Sequence, residues 1–131
     1  MERTSSFRSD SQTSEFFKSH AGMEECIANC AECFQVCTRL IPHCLHLGGE
    51  HAGAEHINLL SICAAICETS VRFMLAESEF HEDTCAVCAK VCDACADDCE
   101  RIDGGDYMMK ECIEICRECA ESCRKMASHS H

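Results

Sequence analysis

Apolar and cysteine residues recur every three or four positions along most of this chain, which is the repeat of an amphipathic α-helix. Four segments show this repeat, and we place helices at about 22–46, 54–77, 82–102 and 107–126. The breaks between them are short: the stretch LGGEHAG (47–53), an acidic link around 77–83, and a turn containing Gly104 and Gly105. Short connections favour antiparallel neighbours, so the pattern predicts an all-α, up-down-up-down four-helix bundle.

The two ends of the chain and one proline modify this picture. Residues 1–20 are polar and serine-rich, and we predict a flexible arm there, followed by the bundle over 21–127. Residues 128–131 are predicted to form a disordered, histidine-containing tail. Pro42 removes a backbone hydrogen bond and clashes with the preceding turn, so the first helix is expected to kink near Arg39 or to stop just before the proline.

The second helical segment is apolar over more than half of its circumference. On one flank of its core-facing side lies an apolar ridge of Ile62, Ile66 and Phe73. On the other flank, the apolar arc is extended by Leu60, Ala64, Val71 and Leu75. One bundle core does not require so much apolar surface. We therefore expect this helix to be buried on two sides, with its outer side forming a subunit interface.

Cysteine occupies the core-facing positions where leucine or isoleucine would be usual. The chain has 16 cysteines in 131 residues, and in the third and fourth segments they fall within arcs of about 60–80°. Cysteine fills less volume and buries less apolar area than leucine, so this density indicates a bound metal. The predicted ligands are Cys26, Cys30, Cys33, Cys37, Cys44, Cys63, Cys67, Cys85, Cys88, Cys92, Cys95, Cys99, Cys112, Cys116, Cys119 and Cys123.

Thiolates are soft ligands that select Cu(I), zinc or iron–sulfur clusters. Several buried zinc–tetrathiolate units would each carry about −2 charge and would be costly in one dry core. The run CAVCAKVCDACADDC has helical spacing and lacks the proline of iron–sulfur ferredoxins. One Cu(I) per thiolate leaves the core neutral, which predicts about one ion per cysteine, on the order of sixteen per chain. A zinc-buffering or metal-sensing helical module and an iron–sulfur redox protein remain as alternatives.

Charge and composition narrow the choice of partner and compartment. The net charge of −12 argues against nucleic acid and anionic membrane surfaces as partners. The sequence has no long apolar run and no signal-peptide core, so we expect a cytoplasmic protein whose thiols stay reduced. No arrangement of nucleophile, base and oxyanion donors is visible, and we predict no enzymatic activity.

Residues 22–126 resemble the bacterial copper storage proteins, and the absence of an export signal resembles their cytosolic branch. The segments that carry the resemblance are CIANCAECFQVC (26–37), SICAAICE (61–68), CAVCAKVCDACADDC (85–99) and CIEICRECAESC (112–123). The resemblance implies a four-helix bundle that binds many Cu(I) ions through cysteine and assembles as a homotetramer. This chain has only Cys63 and Cys67 in its second helix, fewer than the fullest members of the family.

Copper must enter at an end of the bundle, because the walls are helix packed against helix. One end, here named the mouth, collects the close of helices one and three and the start of helices two and four. It offers more soft or borderline ligands than the opposite end, where Met23, Met74, His81 and Met126 lie with Phe80 nearby. The residues predicted at the mouth are His43, Cys44, His46, His51, His56, Asp103, Asp106, Met108 and Met109.

Of these mouth residues, we predict His43, His56, Met108 and Met109 as ligands in addition to the cysteines, and the family resemblance points to the same end. Cu(I) would pass inward by ligand exchange, with a copper chaperone or a cuproenzyme as candidate partner. Thiols lose protons when they become ligands, so loading is expected to weaken at low pH. His129 and His131 in the tail are expected to bind metal loosely at most.

Overall fold

The computed structural model describes the backbone of residues 10–128 and the side chains of residues 21–128. It contains four α-helices, α1 (Asp10–Leu47), α2 (Ala54–Leu75), α3 (His81–Ile102) and α4 (Tyr107–Ala127), with a short 3-10 helix (Gly49–Ala52) between α1 and α2. Residues 10–128 include no strand. Each of α1 and α3 packs against both α2 and α4, which gives a closed four-helix bundle. The predicted all-α, up-down-up-down four-helix bundle is confirmed.

Helix α1 differs most from the sequence-based prediction. It begins at Asp10, so residues 10–20 are helical and the helix extends into the segment that was predicted as an arm. This stretch contains no glycine or proline that would end a helix. Residues 1–9 lie outside the described part, as do His129 and His131.

Pro42 lies inside α1, and the helix continues beyond it to Leu47. Of the two predicted outcomes, the stop before Pro42 is therefore wrong. Leu40 and Cys44, on either side of the proline, are both fully buried, whereas Pro42 itself is exposed. Burial of the core-facing side chains on both sides compensates for the backbone hydrogen bond that the proline removes.

The turn between α3 and α4 is formed by the residues that the sequence indicated. Gly104 and Gly105 have φ angles of 65° and 87°, a region that strongly favours glycine. Asp106 then caps α4, because its carboxylate accepts a hydrogen bond of 3.0 Å from the backbone amide of Met109. The cap fixes the first turn of α4 at the mouth.

Two arginines of α4 bind acidic residues of α3 on the outside of the bundle. Arg117 Nη2 lies 2.7 Å from Asp97 Oδ1, and Arg124 Nη1 lies 2.6 Å from Asp93 Oδ2. Ion pairs this exposed each contribute little free energy, because water and salt screen them. They nevertheless neutralise part of the acidic surface of α3, where it adjoins α4.

The outer side of α2 is apolar and uncovered in the single chain. Ile62 is 45% exposed and Leu75 is 64% exposed, and Ile66 and Phe73 are half-buried. By length and composition alone α2 could cross a membrane, since an 18-residue window of it has a mean hydropathy of 1.4. Of that window, 33% is buried inside the bundle. Core helices of soluble proteins also meet this criterion, so it is weak evidence for a membrane span. The predicted subunit interface on this side stays a prediction.

Candidate metal centre

All 16 cysteines are free thiols, and each is at most 1% exposed. The helical spacing accounts for this result, because residues three and four positions apart lie on one face and each face points into the bundle. Large apolar side chains are scarce among the fully buried residues, where Leu40, Leu60, Met74 and Met109 are the largest. The interior is therefore lined mainly by sulfur, and we name the sixteen cysteine sulfurs the thiol column.

The sulfur atoms of different helices approach one another closely. Near the middle of the bundle, Cys33 Sγ of α1 lies 3.7 Å from Cys116 Sγ, 3.9 Å from Cys92 Sγ and 4.0 Å from Cys63 Sγ. These four residues come from four different helices. Metal ions bound around Cys33 Sγ could therefore connect all four helices.

A continuous series of such approaches runs along the bundle axis. Consecutive sulfur-to-sulfur distances are 3.4–3.9 Å along the path Cys26, Cys123, Cys30, Cys119, Cys67, Cys92, Cys33, Cys116 and Cys112. The Sγ atoms of Cys37, Cys95, Cys112 and Cys116 also lie within 4.8 Å of one another. The column is thus a path of neighbouring ligands from the end opposite the mouth almost to the mouth.

Groups of four thiols overlap along this path. Cys33 and Cys63 belong to one group with Cys37 and Cys116, and to another with Cys67 and Cys92, and within each group the four sulfurs lie within 4.8 Å of one another. A thiolate shared by two groups can bridge two ions. This arrangement suits closely spaced Cu(I) ions, whereas zinc in structural sites takes four ligands of its own in a tetrahedron.

Two thiols of the column, Cys116 and Cys44, have raised pKa values and are expected to hold their protons at neutral pH when no metal is bound. Contacts with Cys112 and Cys33, together with burial, raise the pKa of Cys116 well above its ordinary value. Burial, and next the carboxylate of Asp106, raise the pKa of the Cys44 thiol to about 11. Buried thiolates without a cation would be costly, so a metal ion must replace the protons when it binds.

At the mouth the structure brings together three different ligand types. Cys44 Sγ lies 3.4 Å from His56 Nε2 and 3.7 Å from Met109 Sδ. All three side chains are buried, with His56 only 3% exposed. The second ring nitrogen of His56, Nδ1, lies 2.7 Å from Asp98 Oδ2. A thiol, an imidazole and a thioether therefore meet at the outer limit of the thiol column.

The other predicted mouth residues are placed differently. His43 is half-buried, and its Nε2 lies 3.0 Å from each carboxylate oxygen of Asp106, so this nitrogen is already paired. His51 Nε2 lies 3.4 Å from the backbone oxygen of Asp103, and His46 is exposed. Met108 is half-buried against the core.

The opposite end of the bundle is capped by thioether and apolar side chains. Met74 and Met126 are 0% and 4% exposed, and Met23 is half-buried against the core. His81 Nδ1 lies 2.8 Å from the backbone oxygen of Ser78, so this nitrogen is engaged locally. The structure thus brings the predicted methionines into the core at this end, while the histidine is held by its own turn.

Sequence reasoning did not identify two features of this site. Asp98 is absent from the residues predicted at the mouth. The available signal was its position, since it directly precedes the predicted ligand Cys99 at the mouth end of α3. Leu60 was assigned to the flank of α2, but it is fully buried in the core. Ser70 of α2 is fully buried, and its hydroxyl has no hydrogen-bond partner among the described residues.

Comparison with known proteins adds independent information. Residues 19–128 match the copper storage protein family. A crystal structure of the Nmul_A1745 protein from Nitrosospira multiformis is similar, with 47% identity, a TM-score of 0.79, and coverage of 84% of this chain and 98% of that one. The Cu(I)-bound copper storage protein BsCsp3 is 34% identical with a TM-score of 0.75, covering 81% of this chain and 98% of that one.

Two further matches agree with these. The apo form of copper storage protein 3 from Bacillus subtilis is 35% identical with a TM-score of 0.68, covering 79% of this chain and 97% of that one. The uncharacterized cysteine-rich protein YhjQ of Bacillus subtilis strain 168 is 35% identical over 80 residues, which are 61% of this chain and 74% of that protein.

Proposed function

Because this chain belongs to the copper storage protein family, we propose that it stores about one Cu(I) ion per cysteine, on the order of sixteen per chain, along the thiol column. Storage of multiple Cu(I) ions by clustered, buried cysteines agrees with the family match and with the Cu(I)-bound relative. The capacity of one ion per thiol rests on the continuous path of sulfur atoms 3.4–3.9 Å apart. Each Cu(I) that replaces a thiol proton leaves the buried charge unchanged.

Anaerobic titration of the fully reduced protein with Cu(I), against a competing chelator, tests this capacity. Because every thiol is buried within the column, we expect saturation at about one ion per cysteine, on the order of sixteen per chain. Saturation at four or fewer ions per chain would contradict storage along the column and favour a zinc-type module. Visible charge-transfer bands in the protein as isolated would instead favour an iron–sulfur centre.

The variant Cys92→Ser serves as a matched test of the same prediction. Cys92 Sγ lies within 4.0 Å of four other sulfurs, those of Cys33, Cys63, Cys67 and Cys88. Serine has a similar size but is a poor ligand for Cu(I), so capacity should fall by about one or two ions while the helical circular dichroism stays unchanged. An unchanged capacity would mean that copper does not use the column.

We infer that Cu(I) enters and leaves at the mouth through Cys44, His56 and Met109. These residues offer thiol, imidazole and thioether ligands at the outer limit of the column, whereas thioether and apolar side chains cap the opposite end. The partner in transfer would be a protein that presents Cu(I) on thiolates or thioethers, such as a copper chaperone or a cuproenzyme. His43 and Met108 are proposed as outer ligands; for His43, Asp106 would have to release the ring.

We also propose that the chain works as a homotetramer in the cytoplasm and without catalysis. The sixteen unpaired thiols suit a reducing compartment, and thiols used as metal ligands are unavailable as nucleophiles. The apolar outer side of α2 supports assembly, because monomers rarely leave such a surface uncovered.

Replacing Ile62 with glutamate is expected to dissociate the assembly. Ile62 is 45% exposed in the single chain, so the charge would be tolerated in a monomer but would be buried in an interface on α2. Light scattering after gel filtration should give the mass of four chains for the wild-type protein and a smaller mass for Ile62→Glu. Val87→Glu, at a position that is 50% exposed on α3, is the control and should keep the wild-type mass. A wild-type mass of one chain would contradict the tetramer.

A further inference from the structure

We propose that Asp98 is a positioning residue for copper transfer: it holds the His56 ring with Nε2 directed at Cys44 and so speeds the passage of Cu(I) through the mouth. In this role Asp98 adds nothing to the storage capacity. The inference rests on the proposed function, in which Cu(I) crosses the mouth at Cys44, His56 and Met109.

The hydrogen bond from His56 to Asp98 fixes the tautomer of the ring. Nδ1 lies 2.7 Å from Asp98 Oδ2, and because an ionised carboxylate can only accept, Nδ1 must carry the proton and donate it. In the neutral ring Nε2 then keeps its lone pair, 3.4 Å from Cys44 Sγ. The ring is 3% exposed, so surrounding side chains hold it in this orientation and little water competes for either nitrogen.

Asp98 is itself held by a second contact. Its other oxygen, Oδ1, accepts a hydrogen bond of 2.7 Å from Arg101 Nη2, one helical turn further along α3. The carboxylate therefore has both oxygens engaged and a defined direction toward His56.

The second histidine–aspartate pair at the mouth is arranged in the opposite way. His43 turns Nε2 toward Asp106, with both oxygens at 3.0 Å, and Asp106 is also bound by the backbone amide of Met109 as the cap of α4. Of the two pairs, only that of His56 and Asp98 leaves a ring nitrogen facing a sulfur atom. The aspartate of the His43 pair thus caps a helix, whereas the aspartate of the His56 pair orients a predicted metal ligand.

A neutral nitrogen at this place assists transfer for a chemical reason. Incoming Cu(I) can exchange a donor ligand for Nε2 without any deprotonation, whereas the Cys44 thiol must lose its proton when its sulfur becomes a ligand. Copper stays Cu(I) throughout: the bond to the donor sulfur breaks, the bond to Nε2 forms, and the Cys44 proton leaves to water when its sulfur binds. Asp98 contributes by keeping the lone pair of Nε2 available.

The variant Asp98→Asn tests this role. With Arg101 donating to the new amide oxygen, the amide nitrogen would donate to Nδ1, which moves the ring proton to Nε2 and removes the lone pair from the mouth. We expect Cu(I) transfer, into the reduced apoprotein and out to a chelator, to slow about 10–100-fold, with total capacity unchanged. Asp97→Asn is the control: it removes the same charge from the adjacent residue, which pairs with Arg117 on the outside of the bundle. Its rate of Cu(I) transfer should lie within about twofold of the wild-type rate.

Two measurements separate positioning from a merely structural role. In wild-type apoprotein, ¹⁵N chemical shifts of His56 should report a neutral ring protonated at Nδ1, and a ring protonated at Nε2 or at both nitrogens would overturn the inference. In a His56→Asn background, Asp98→Asn should have no further effect on the transfer rate, and a full additional loss would also overturn it.

Failure of this inference can be distinguished from failure of the proposed function. Wild-type protein that does not load near its thiol count contradicts storage along the column. Wild-type protein that loads fully, together with an Asp98→Asn variant that transfers at the wild-type rate, contradicts only the role of Asp98.

Discussion

Loading with Cu(I) is expected to raise the midpoint of thermal unfolding by more than about 20 °C over that of the reduced apoprotein. A ligand that binds the native state stabilises it by about 4 kcal/mol per site at a thousand times its dissociation constant, and the column offers many sites. Binding to cysteines of the unfolded chain reduces the gain. However, only the folded bundle places Cys63 of α2, Cys92 of α3 and Cys116 of α4 within 4.0 Å of Cys33 Sγ of α1.

Circular dichroism melts under anaerobic conditions, with and without bound Cu(I), measure this shift. Mg²⁺ at equal concentration is the control, because it prefers oxygen ligands and should leave the midpoint unchanged. Removal of copper by a chelator should restore the apoprotein midpoint. Equal midpoints for the loaded and apo forms would show that the bound ions do not link the helices.

Replacing Leu60 with alanine is expected to lower the free energy of unfolding of the apoprotein by about 2–5 kcal/mol. Leu60 is 0% exposed and is one of the few large apolar side chains in a core made mainly of cysteine. A domain of this size is stable by only about 5–15 kcal/mol, so the change would remove a large share of its stability. Because the cysteines are untouched, Cu(I) loading should restore much of the lost stability without a change in capacity.

Urea unfolding of the reduced apoprotein, followed by circular dichroism, measures the effect of Leu60→Ala. Leu47→Ala is the matched control, since Leu47 is 44% exposed at the end of α1 and its truncation should cost no more than about 0.5 kcal/mol. Equal losses from the two variants would mean that Leu60 does not contribute to the core as its burial indicates.

The helix boundaries show how far periodicity alone can lead. The ends of α2, α3 and α4 lie within two residues of the predicted positions, because glycine turns and a capping aspartate mark them in the sequence. The start of α1 differs by about a dozen residues, since nothing between Asp10 and His20 interrupts a helix and polarity alone indicated an arm. Pro42 shows the reverse case, in which burial of Leu40 and Cys44 sustains a helix that local chemistry disfavours.

Helix α2 shows why some residues of the site could not be assigned from the sequence. Its apolar residues cover more than half of the surface, so periodicity does not say which part faces the column. Packing places Leu60 inward with His56, Cys63 and Cys67, and leaves Ile62 outward. Asp98 was overlooked for a related reason, since its partner His56 is 42 residues away and the contact depends on how α2 and α3 are rotated against each other.

The sequence by itself determined the four thiol-bearing faces and the soft-metal chemistry of the core. Spacings of three and four residues place side chains on one face of any α-helix, whatever its neighbours are, and thiolates are soft metal ligands on any such face. Only the tertiary structure decided which sulfurs meet across helices and which nitrogen each mouth histidine presents. Those contacts depend on the register and rotation of the packed helices. His56 therefore binds a carboxylate through Nδ1, whereas His43 binds one through Nε2.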